Sequence, residues 1–278
     1  MRVTLAVARD LLVEALQRRW ILALWLAITA AVIVLAMALR MEVVDGALAA
    51  TRLFGHAVRH DIRSAEGAMQ PVFQAVAYVI FYGGVFFGVL ACADFGAELF
   101  SPGRIEHLLA LPIRRWQLLL GTYIGVITLS VVGALYGAGA FTVLLSVKSG
   151  VWTVRPIVAA LLASVTFSAI YGAMLASALF VRSAAVAAAV GGMLLVLGII
   201  AGYRDDLAPL FNAGISRATF LAATALLPRV SQIANAAADL ASSHAVDFPR
   251  LARSLFGLEA FGLGSLAVGM WQFERKDF

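Results

Sequence analysis

The chain has one cysteine, two lysines and few charges of either sign, and each shortage excludes something. Cys92 alone provides no disulfide framework and no cysteine metal cluster, and it reads as a small core residue. A P-loop needs a lysine preceded by glycine and followed by Ser or Thr. Lys148 follows Val147, and Lys276 precedes Asp277, so neither fits and the chain carries no nucleotide hydrolysis of that kind. Charged residues make up 13% against 62% hydrophobic, with a mean hydropathy of +0.93. Such a chain cannot keep its apolar surface from water by folding alone and belongs in a membrane.

A hydrocarbon core of roughly 30 Å takes about 20 apolar residues of helix to cross. Six runs qualify: 20–39, 72–93, 118–147, 157–181, 184–202 and 255–273. All are continuous, without the alternation over about ten residues that a membrane β-barrel strand would show. The expected fold is therefore an all-α integral membrane protein, one transmembrane domain over 1–278 with external loops at 40–71 and 203–253. The apolar stretch 215–227 contains Arg217 and ends at Pro228, and we read it as interfacial or packed outside the bilayer. The first run is too long for a cleaved signal peptide and is followed by Arg40, Met41 and Glu42, so it is expected to stay in the mature chain.

Raw counts of Arg and Lys do not decide the orientation, but those on the amino-terminal side lie in short pieces next to the spans, including Arg18 and Arg19 before the first. This density places both termini in the cytoplasm of a cell membrane. The first 19 residues have Val3, Val7, Leu11 and Leu12 or Leu16 at helical spacing, with Arg2, Arg9, Asp10, Glu14 and Gln17 on other faces. They predict an amphipathic helix along the cytoplasmic surface. A second amphipathic pattern, Val230, Ile233, Ala237 and Leu240 within 228–244, predicts an external helix that roofs the outer vestibule or meets an extracytoplasmic partner. The net charge of +5 is spread over both sides and is no nucleic-acid footprint.

Between the second and third spans lies the cytoplasmic segment Asp94 to Trp116. Its Ile105, Leu108, Leu109 and Leu111 predict a short amphipathic helix after Ser101-Pro102-Gly103 that stops at Pro112, while Arg114, Arg115 and Trp116 anchor the next span at the interface. The run from Glu98 through Gly103, Leu108, Leu109, Pro112, Arg115, Leu119 and Leu120 to Gly121 resembles the loop of the ABC-2 type transporter permeases. The closing Phe273, Arg275, Lys276, Asp277 and Phe278 resemble that family's tail. Two departures stand out: Thr122 occupies the place of the usual lysine, and LFSPG separates Glu98 from Arg104.

The resemblance implies a permease subunit of an ATP-driven transporter, an exporter, in which this loop forms a coupling helix docked on a separate ATPase. Glu98, Gly103, Arg104, Ile105, Glu106, Leu108, Leu109, Pro112 and Arg115 would then carry the coupling. Two permease halves, as a homodimer or pseudo-dimer, would work with two ATPase chains, which would hold the ATP and magnesium, while this chain would hold no cofactor. The rival reading is a non-transporting membrane scaffold or mechanotransducing subunit that signals to an extracytoplasmic partner. An intramembrane enzyme lacks support, because no span carries paired acid, base or nucleophile groups.

Candidate pathway residues are Tyr78, Phe81, Phe86, Phe87 and Met193, which are also what core packing would supply, and Glu259. A carboxylate within a span is costly and a functional hypothesis by default; a boundary position or a pairing with Arg253 is the alternative. His56 and His60 could share a helix face, but without a third ligand they read as surface residues, and no metal is assigned. The pairs Gly84/Gly88, Gly121/Gly125, Gly133/Gly137 and Gly198/Gly202 have the spacing that lets helices approach closely in lipid, within the bundle or between two copies.

Overall fold

The computed structural model describes the chain apart from residues 1, 45–46, 54–55, 60–62, 100–102, 104–113, 212–213 and 276–278. In chain order the helices are α1 (Arg2–Gln17), α2 (Arg19–Ala38), α3 (Ala65–Glu98), α4 (Arg115–Ser149), α5 (Arg155–Val181), α6 (Ala184–Gly202), α7 (Arg204–Leu207), α8 (Ile215–Ala225), α9 (Val230–Ala241) and α10 (Phe248–Arg275). Five of them, α3, α4, α5, α6 and α10, are long and apolar enough to cross a membrane; a sixth is reached if α1 and α2, bent by 64° at Arg18, count as one broken span. This is the build of a multi-pass membrane protein. At about 1.5 Å per residue α8 is only about 17 Å long, too short to span.

The segment expected as a loop at 40–71 contains a small antiparallel sheet: β1 (Leu39–Val44), β2 (Ala47–Leu53), β3 (His56–Arg59) and β4 (Arg63–Ser64). β2 pairs with each of the other three, Leu39 standing opposite Leu53 and Ala47 opposite Ser64. The strands are short and two of the pairings are bulged, which breaks the period-two pattern that identifies strands in a sequence.

Helix α5 is the hub. Its most apolar 18-residue window is 67% buried, against 22–33% for the other four, because α3, α4, α6, α9 and α10 all pack around it. Lipid tails are as apolar as leucine, so helices in a membrane associate through close packing and small residues. Gly88 of α3 makes room for the Phe167 ring, which a Cβ would approach to 2.9 Å. The tightest crossing joins α5 to α10, where a Cβ on Gly262 would land on the Ala169 backbone and one on Gly172 on the Gly262 carbonyl.

Of the four small-residue pairs, three are used within the bundle. Gly84/Gly88 face α5, Gly121/Gly125 face α1 and Gly198/Gly202 face α9. At Gly133 a Cβ would meet nothing within 4 Å, and at Gly137 only Ile28, at 3.9 Å.

Helix α4 stops at Gly150, whose φ of 72° is left-handed and whose N–H closes onto the Ser146 carbonyl. Helix α9 lies across α3, α5 and α6 with Val230, Ile233, Ala234, Ala237, Ala238 and Ala241 fully buried. Ser231 donates to the Ile199 carbonyl at 3.0 Å and Tyr78 to Asn235 Oδ1 at 3.0 Å, so α9 is keyed onto one end of the bundle.

Candidate functional site

At the opposite end of the bundle, α3 runs into the 100–113 segment and α4 leaves it. Arg18 sits in the break between α1 and α2, where the bend points its guanidinium at α3. It donates to Glu14 Oε1, one turn back, at 2.8 Å, and to Asp94 Oδ2 and Glu98 Oε2, one turn apart at the end of α3. The guanidinium also lies 4.4 Å from the centroid of the Phe95 ring. Its side chain is only 15% exposed, against 34% for Asp94 and 38% for Glu98. Burial alone would lower the Arg18 pKa, but Glu14, Asp94 and Glu98 together outweigh it and raise the value above the ordinary arginine range. The group is a permanent cation holding three carboxylates.

The rest of α1 packs on α4 through small residues. Gly121 accepts Val7 and the Thr4 carbonyl, and Gly125 accepts Ala8 and Leu11. The buried stripe is therefore Thr4, Ala8, Leu11 and Ala15, while Leu5, Val13 and Leu16 stay exposed. Of the apolar face read from the sequence, Leu11 is buried and Leu16 is exposed, because the stripe that meets the glycines of α4 runs through Thr4, Ala8, Leu11 and Ala15. At the foot of α4, Arg115 donates to the carbonyls of Phe273 at 3.2 Å and Glu274 at 3.5 Å, joining α4 to the end of α10. Four elements, α1, α3, α4 and α10, thus close around the root of the segment.

Of the sequence-derived coupling residues, Glu98 and Arg115 belong to this clasp. Gly103 is exposed with a φ of 82°, a left-handed conformation open to glycine at little cost. Arg104, Ile105, Glu106, Leu108, Leu109 and Pro112 lie outside the described residues, as do Lys276, Asp277 and Phe278 of the tail and His60. Sequence reasoning missed the roles of Arg18 and Asp94. The available signal was the Asp94/Glu98 spacing of four, which puts two carboxylates on one helix face in need of a cation.

The candidate pathway residues do not share one lining. Phe81 is fully buried in the core, Tyr78 is bonded to Asn235, and Phe86 and Met193 are 48% and 62% exposed on the outer surface of the bundle. Phe87 lines an apolar groove of about 250 Å³ between α2, α3 and α4, floored by Gly133 and Gly137. Helix α2 closes over α4 through the stack of Trp25 on Tyr136 at 4.9 Å and a 2.6 Å hydrogen bond between the Thr29 and Tyr136 hydroxyls.

Glu259 accepts a 2.8 Å hydrogen bond from Ser168, whose carbonyl in turn accepts one of 3.2 Å from the Tyr123 hydroxyl. Ser168 is at the middle of α5, so the half-buried carboxylate sits at mid-bundle. It does not pair with Arg253: six residues along a helix is a rotation of about 240°, which turns the two side chains away from each other. No family model matches the chain, and no curated protein matches it either.

Proposed function

We propose that the chain is the membrane permease subunit of an ABC-2 type transporter, an exporter, coupled through residues 101–113 to a separate cytoplasmic ATPase. Six spans, with α2 as the first and α1 along the cytoplasmic surface, would put both termini in the cytoplasm of a cell membrane. Two copies, or this chain with a similar half, would work with two ATPase chains, which bind the ATP and magnesium.

The clasp of Arg18 with Asp94 and Glu98 carries the reading. A push on the 100–113 segment enters α3 at Glu98 and α4 at Arg115, and the clasp passes it to α1 and the bend before α2 without slack. Nucleotide-driven closure of the ATPases would in this way shift α1, α3 and α4 against α5, and the path would open where the outer faces of two copies meet. The motif run from Glu98 to Gly121 supports the same assignment.

The test is to purify the chain in lipid together with any ATPase encoded beside it and to measure nucleotide hydrolysis. Charge reversal at Arg104 or Glu106 is expected to lower hydrolysis about tenfold. No association, or hydrolysis indifferent to both reversals, overturns the assignment and favours a non-transporting scaffold or mechanical transducer.

A further inference from the structure

At the end of the bundle away from the clasp, the α6–α7 corner, the α8–α9 connection and the first turns of α10 border a half-open pocket of about 650 Å³. Arg204, Arg229, Arg250 and Arg253 line it together with Asp205 and Asp247. Both carboxylates are engaged. Asp205 faces Arg204 Nε at 3.4 Å, and Asp247 caps α10 by accepting from the Arg250 backbone N–H at 3.1 Å.

Arg229, Arg250 and Arg253 make no ion pair among the described residues. Four guanidinium groups therefore meet two committed carboxylates. Burial and then the neighbouring charge of Arg204, with Arg250 and Arg253 adding to it, hold Arg229 below the ordinary arginine range despite Asp205. Like charges gathered in this way are destabilising unless an anion occupies the space between them.

One wall is apolar: Ala225, Leu226, Leu227 and Pro228 line it, and Leu226 is 84% exposed beside the arginines. The planar guanidinium fork matches a phosphate bidentately, where a lysine acts as a point charge; all the cations here are arginine.

We propose that this cavity is a binding site for a phosphate-bearing anion, held by Arg229, Arg250 and Arg253 and supplied either by the headgroup of an anionic lipid or by a soluble phosphorylated molecule. The site begins two residues past the end of α6, at Arg204, and the exposed Leu226 gives acyl chains an apolar surface to rest on while the phosphate enters the pocket. It stands independently of the coupling reading, since it lies at the other end of the bundle and involves none of the clasp residues.

The experiment follows the unfolding midpoint of the purified full chain in a neutral detergent. Phosphatidylglycerol, phosphatidylcholine and inorganic pyrophosphate are titrated separately, and apparent affinities are taken from the rise in midpoint. Phosphatidylglycerol is expected to stabilise saturably and phosphatidylcholine not. Arg229→Gln/Arg253→Gln is expected to weaken binding about tenfold per arginine removed, and Arg250→Gln about tenfold. Arg250 is exposed, so its substitution keeps the test open if the double variant fails to elute as one species. Arg9→Gln, on exposed α1, is expected to change nothing.

Arginine-dependent binding of phosphatidylglycerol alone assigns a lipid headgroup; the same dependence with pyrophosphate alone assigns a soluble ligand. The proposal is overturned if neither probe binds, if phosphatidylcholine binds as well as phosphatidylglycerol, or if Arg9→Gln weakens binding as much as the cavity variants do.

Discussion

The guanidinium of Arg18 donates to the carboxylate of Glu98 across a separation of 80 residues, fixing the hinge between α1 and α2 to the last turn of α3. Asp94, one turn before Glu98, receives a second bond from the same group. The backbone of Arg18 bonds only to its own neighbours, Ala15, Ile21 and Leu22, and does not tie the break to another helix. Here the acidic face of α3 supplies the hold.

Arg18→Gln is expected to cost about 2 kcal/mol, between the values for exposed and fully buried ion pairs, because the arginine is largely buried and its partners only partly so. In a double-mutant cycle Arg18→Gln and Glu98→Gln should be strongly non-additive, with about 1 kcal/mol of coupling read from unfolding midpoints in detergent. Additive losses would show that the contact contributes no energy. The raised pKa of Arg18 also fixes the sign of its pH dependence: its contribution is complete below the ordinary arginine range and is lost only as pH climbs above it. Between pH 6 and pH 9 the cost of Arg18→Gln should therefore show no trend from arginine titration.

The α5–α10 crossing should be the least forgiving part of the bundle. Gly262→Ala puts a Cβ on the Ala169 backbone and is expected to cost about 3 kcal/mol or to prevent folding, whereas the Cβ of Gly133→Ala meets nothing within 4 Å and should be tolerated. Size-exclusion profiles and unfolding midpoints of the two variants check this. Equal behaviour would mean that the crossing is looser than its geometry.

Cys92 is 3% exposed beneath α5. The native protein is expected to resist maleimide until it is denatured, while Arg250→Cys in a Cys92→Ala background reacts readily. With an impermeant maleimide on intact cells the same variant reports orientation. Labelling at Arg250→Cys from outside, with Glu274→Cys labelled only after permeabilisation, is the result expected if both termini are cytoplasmic, and the reverse pattern inverts the topology.

Tyr78→Phe removes one neutral hydrogen bond to α9 and should cost about 1 kcal/mol. Asn235→Leu should cost more, since it leaves the Tyr78 hydroxyl without its acceptor and also removes the longer 3.4 Å contact from Tyr203. Unfolding midpoints in the same detergent order the two.

The long apolar runs that became α3, α4, α5, α6 and α10 were legible in the chain because crossing a hydrocarbon layer demands length and hydropathy that few other structures need. The amphipathic stretches that became α1 and α9 were legible for a similar reason, since a one-sided helix writes its period into the sequence. The candidate docking segment 100–113 was marked by its polarity between two spans. Length, period and polarity are local properties, which one stretch of residues can carry by itself.

What no single stretch carries is which helix meets which. Two carboxylates at Asp94 and Glu98 and the distant Arg18 become a clasp only when the bend after α1 brings them together, and Glu259 takes Ser168 as its partner because the Gly172–Gly262 contact draws α5 and α10 close. Arg204, Arg229, Arg250 and Arg253 are scattered through a long loop and the start of α10, and folding makes them one cavity. Contacts in a membrane bundle depend on small residues letting backbones approach, and a glycine records that an approach is possible without recording its partner. The tertiary structure supplies the partner.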